Sequence, residues 1–121
     1  MQNYFPAIDE VGPFLAYSVA VSTFFYVKTK SVLRSAHGIL IVILYLYACI
    51  AMRYSEFGSA PKYDIPLLIL LGISFLSAIL SCTSFKGKGW QNMFLLLHLG
   101  TVFSGLFVWF ISAMAVSHDW L

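Results

Sequence analysis

Besides cysteine and tyrosine, one ionisable side chain lies well inside an apolar run: His98, about 12 Å from Trp90 by helical rise. Ionisable groups at such a depth mark functional sites by default, because hydrocarbon does nothing to solvate them. A neutral imidazole presents one donor and one acceptor, and each needs a partner. Ser74, Ser77 and Ser81 recur at helical spacing, so their hydroxyls share one face, and with His98 and Thr101 they define a candidate polar path. Ser22 and Thr23 fall at a similar depth. Every one of these hydroxyls has a self-contained alternative, a bond to the carbonyl one turn back.

Haem, metal and catalytic chemistry find less support. A haem between helices takes two histidines at one depth, but His37 stands near the end of its apolar run and His98 several turns in, an expected mismatch of about 10 Å. His118 falls at the far end, and the same spread argues against a zinc site made from the three. Cys49 and Cys82 form no CxxC pair. The adjacent pairs Asp9-Glu10 and His118-Asp119 point to different faces of a helix, and no nucleophile is set beside a base and its orienting group. No enzyme activity, catalytic residue, cofactor or metal is therefore expected, and a redox membrane anchor is the least supported of the functional readings. Tyr17, Tyr45, Tyr47 and Trp109 are expected about 7 to 10 Å below the outer ends of their helices. Such an aromatic layer serves helix packing or a vestibule for an apolar or cationic ligand.

The elements that position these residues follow from composition. Of 121 residues, 60% are hydrophobic and 10% charged, against about 25% charged in an ordinary soluble domain. So short a chain cannot bury that much apolar surface, and the excess must face lipid. Asp, Glu, Lys and Arg are absent from 11–27, 36–52, 65–83 and 90–116. These runs are expected to be four transmembrane helices of one all-α membrane domain covering 1–121. A hydrocarbon core takes roughly 20 helical residues, so the first two runs need Lys28 and Arg34 to snorkel, and the fourth should tilt. Asp9 with Pro13, and Asp64 with Pro66, read as helix starts with proline in the first turn. Short connections make consecutive helices antiparallel neighbours, hence a four-helix bundle.

Charge sets the orientation. Lys28, Lys30, Arg34, Lys86 and Lys88 fall in the first and third connections with no acidic residue among them, which the positive-inside rule places in the cytoplasm. Asp9, Glu10, Glu56, Asp64 and Asp119 fall on the other side with Arg53 and Lys62, so both termini are expected there. Tyr4, Tyr54, Phe57, Tyr63 and Trp120, and on the basic side Tyr26, Phe85 and Trp90, suit interfacial anchors. The net charge of +2 is too small and dispersed for nucleic-acid binding. Acidic residues rather than a basic stretch precede the first apolar run, so no cleavable leader is expected and a bacterial inner membrane is the expected location.

Two stripes of small residues complete the inventory. Gly12, Ala16 and Ala20 follow one another at i, i+4 and i+8, and Gly100/Ser104 and Thr101/Gly105 form overlapping small-xxx-small pairs, continued by Ser112. Both suit close helix approach, inside the bundle or to a second copy. Size and helix count resemble the small multidrug-resistance exporters and the small fluoride channels, but the exporters' membrane-embedded glutamate has no counterpart, since Glu10 precedes its span. The leading expectation is a subunit that acts by assembly, as a homo-oligomer or with a cytosolic protein at the basic turns and with membrane lipid. Accessory, toxin-immunity and phage-defence components all fit that description. The alternative is an oligomeric pore, small transporter or holin-like channel.

Overall fold

The computed structural model describes residues 8–54, 61–84 and 91–117. Among them the regular structure is wholly helical: α1 (Ile8–Thr29), α2 (Val32–Ser35), α3 (His37–Ala51), α4 (Pro61–Ser84) and α5 (Gln91–Ser117). Three stretches, Ile8–Thr29, Lys62–Thr83 and Met93–Val116, are long and apolar enough to cross a membrane. The apolar helix α3 has only 15 residues, about 22 Å of rise against a hydrocarbon core of about 30 Å.

The helices begin earlier than proline placement suggests. Because α1 starts at Ile8 and α4 at Pro61, Pro13 and Pro66 stand inside their helices, past the first turn. The carbonyls that lose a helical donor, those of Asp9 and Lys62, each lie one residue from the helix start. Asp9, Glu10 and Asp64 occupy first turns and complement the positive ends of the helix dipoles.

Helix α3 is the hub. It packs against α1, α4 and α5, whereas α1 and α4 barely meet, so the bundle is rhombic with α3 and α5 across its short diagonal. Ile41, Leu44, Tyr45 and Ala48 of α3 form the main core with Val11, Leu67, Leu71, Val108 and Val116. A smaller cluster, Val21, Phe25 and Phe94, lies toward the end where α1 gives way to α2. Large apolar side chains such as Leu68, Leu76, Leu96 and Phe103 point outward all round, as required of helices whose solvent is lipid.

The α1–α3 connection turns back against the bundle, burying Ser35 while Val32 and Leu33 stay exposed. Thr29 donates to the Phe25 carbonyl at 2.8 Å, and Lys30 takes a left-handed φ of 57°. That conformation costs a non-glycine residue about 1 kcal/mol and turns the chain back on itself. The chain then lies against α1 and α4 as α2.

Candidate functional site

This turn builds a buried polar layer. The N-terminal turn of α3 has no side-chain cap of its own, Ala36 being its N-cap residue. Ser22 of α1 supplies one from across the interface: its Oγ accepts from the Gly38 and Ile39 N–H groups at 2.8 and 3.0 Å and donates to the Ser35 carbonyl at 2.5 Å. From the other side, Ser77 donates to the Leu33 carbonyl and Ser74 to the His37 carbonyl, both at 2.7 Å. Three serines on two helices thus satisfy backbone groups that hydrocarbon would leave orphaned. Gly38 makes the approach possible, since a Cβ there would collide with the backbone carbonyl of Ser18 and come within 2.7 Å of Ser22 Oγ.

This geometry corrects the expected depth of His37. Because α3 begins opposite Ser22, it starts seven residues, or about 10 Å, below the end of α1. His37 is fully buried, and its ring centroid lies 5.2 Å from that of His98. Charge spacing alone put His37 at the interface because it could not reveal that the preceding turn is sunk. His98 Nδ1 is 2.6 Å from the Phe94 carbonyl oxygen, and Phe25 lies against both histidines at 4.3 and 5.7 Å. His98 Nε2 and both nitrogens of His37 have no hydrogen-bond partner. With the rings this close and tilted at 43°, no slot for a macrocycle lies between them.

The other polar-path residues divide by partner. Ser74 and Ser77 hold the turn rather than their own helix. Thr101 bonds the Leu97 carbonyl one turn back, and Ser81 is buried without a partner. Thr23 stands apart, exposed and bonded to the Val19 carbonyl. Toward the acidic end the fully buried Leu44, Tyr45, Leu67 and Val108 close the bundle above this layer. Of the aromatic residues, Tyr17 donates to the Leu97 carbonyl at 2.9 Å and so belongs beside the polar layer. Tyr47 donates to the Tyr63 carbonyl at 3.2 Å, and Tyr45 is buried in the main core.

The small-residue stripes face opposite ways. On α5, Gly100 abuts Tyr17 and Gly105 abuts Ile41, while Ser104 and Ser112 are buried. On α1, Ala16 and Ala20 are exposed, and a Cβ on Gly12 would meet nothing within 4 Å. Of the basic turns, Lys28, Lys30 and Arg34 are exposed, and the Lys28 ammonium sits 5.7 Å from the Phe24 ring centroid. Lys86 and Lys88 lie outside the described residues, as do Tyr4, Glu56, Phe57, Phe85, Trp90, His118, Asp119 and Trp120.

Sequence reasoning passed over Gly38 and Ser35, and it used His37 only to argue against haem and zinc. The available signal was Ser35-Ala36-His37-Gly38, a run of small residues beside a histidine directly after the last basic residue. Comparison with protein-family models, curated proteins and solved structures gave no match.

Proposed function

We propose that this protein is a membrane subunit that crosses the bilayer four times and acts by assembly, first with itself, through the α1 face bearing Gly12, Ala16 and Ala20. The observation that carries the reading is the outward aim of that stripe. Lipid-facing small residues let a second backbone approach closely, and in hydrocarbon close packing rather than water exclusion drives helices together.

In this reading α3 is the fourth crossing, shortened because α2 replaces its first turns. Lys28, Lys30 and Arg34 gather at one end of the bundle, with Asp9, Glu10 and Asp64 at the other. The positive-inside rule then puts the α2 end in the cytoplasm and both termini outside. The basic end is suited to anionic lipid headgroups or an acidic cytosolic protein. Accessory, immunity and phage-defence roles in a bacterial inner membrane share this design.

Counting subunits by photobleaching in bilayers at low protein density tests the proposal. A defined oligomer is expected, and Ala16→Leu with Ala20→Leu should shift it to monomer while helicity is kept. A wild-type chain that stays monomeric at every lipid ratio would falsify it. The buried Ser74, Ser77, Ser81, His98 and Thr101 favour a second reading, an oligomeric pore, for which proteoliposomes should pass ions in a manner sensitive to His98→Ala.

A further inference from the structure

A groove opens on the side of the bundle beside the basic turn, and its walls follow from helical spacing. Ser22, Thr23 and Tyr26 share one face of α1 at i, i+1 and i+4. Against them stand Val32, Ser35, Ala36 and Ile39, at i, i+3, i+4 and i+7. These four stay on one face because Ala36 keeps a right-handed φ of −75° and ψ of −7° between α2 and α3. The groove measures about 270 Å³.

Its lining is apolar despite three hydroxyls. Ser22 donates to the Ser35 carbonyl, Thr23 to the Val19 carbonyl and Ser35 to the Ser31 carbonyl, so each proton is already committed to backbone. Tyr26, 49% exposed, brings a ring of the kind that sits at headgroup level. The turn joining the two walls carries Lys30, whose N–H donates to the Tyr26 carbonyl at 2.7 Å. Lys28, Lys30 and Arg34 are all exposed here, whereas Asp9, Glu10 and Asp64 stand in first turns at the other end. Ser22 lies seven residues below Thr29, about 10 Å of rise. An apolar slot therefore runs down from a cluster of positive charge.

A phospholipid joins an anion to an apolar chain over just such a distance. A second copy inserted in the same orientation would instead bring the same three cations together with no acidic residue to offset them. We propose that the groove binds one anionic phospholipid per chain, with an acyl chain between α1 and the α2–α3 face and the phosphate met by Lys28 and Lys30 at its mouth. This rests on the reading of the basic end as a surface for lipid headgroups, and it is independent of whether copies associate. The acyl chain confers no preference, since bulk lipid is as apolar as the groove. Selection comes from charge, at about fivefold per lysine.

The test is native mass spectrometry of the full chain, released from detergent micelles holding equal amounts of phosphatidylglycerol and phosphatidylcholine. One phosphatidylglycerol per chain is expected, retained about 20-fold over phosphatidylcholine. Lys30→Gly should cut that preference about fivefold, and glycine takes the φ of 57° without strain, so misfolding does not explain the loss. Ile39→Trp fills the groove and should release both lipids while circular dichroism shows helicity kept. Equal retention of the two lipids, an unchanged preference in Lys30→Gly, or undiminished phosphatidylglycerol on folded Ile39→Trp would each overturn the site. The same spectra count subunits. A single chain carrying the lipid supports this inference while removing self-association, and an oligomer without lipid does the reverse.

Discussion

The small-residue stripes of α1 and α5 share a spacing and differ in fate. Gly100 and Gly105 are pressed against Tyr17 and Ile41, whereas Gly12 looks onto open space and Ala16 and Ala20 lie bare. A stripe of small residues marks a place where something large can approach, and it does not name the visitor. Inside the bundle the visitor is a neighbouring side chain. On α1 none of the described residues fills that place. Gly38 is the extreme case, because there the neighbour is backbone.

The contrast can be broken by adding one methyl group at a time. Gly38→Ala should have the largest effect, about 3 kcal/mol of lost stability, because the Ser18 carbonyl cannot swing aside. Unfolding in mixed micelles of rising SDS fraction would measure it, and a loss below about 1 kcal/mol would mean that α1 and α3 separate easily. Gly100→Ala should cost about 1 kcal/mol, since the obstacle is the mobile end of Tyr17, whose bond to the Leu97 carbonyl would be given up. Combining it with Tyr17→Phe should cost less than the sum of the two single changes, the sign of coupling expected for direct neighbours. Gly12→Ala should leave folding within about 0.5 kcal/mol of wild type, and any effect should appear in subunit counting alone. A large folding defect there would place the α1 stripe inside after all.

Element types and approximate limits were readable from charge placement, because Asp, Glu, Lys and Arg cannot enter a span cheaply. The apolar runs 11–27 and 65–83 fall within α1 and α4, 90–116 coincides with α5 from Gln91 onward, and 36–52 extends one residue beyond α3 at each end. What could not be read was depth along the second run. Rise counted from Arg34 assumes that the chain enters the membrane there, yet Val32–Ser35 already lies against α1 and α4. The cross-interface cap from Ser22 was equally hidden, since hydrogen bonds between distant segments leave no local pattern. Which side of a helix faces its neighbours was hidden for the same reason: nearly every position is apolar, so the usual contrast between a wet and a dry face is lost.

The short α3 bears on the bilayer itself. If α3 crosses the bilayer as proposed, its rise of about 22 Å between longer neighbours, with Lys28, Lys30 and Arg34 exposed at that end, gives the leaflet on that side too little apolar height to match. In that topology lipids would dip toward α3, drawing phosphates down by several ångströms and thinning the membrane on one side of the molecule. Copies of it would then favour lipid regions that tolerate such a dent.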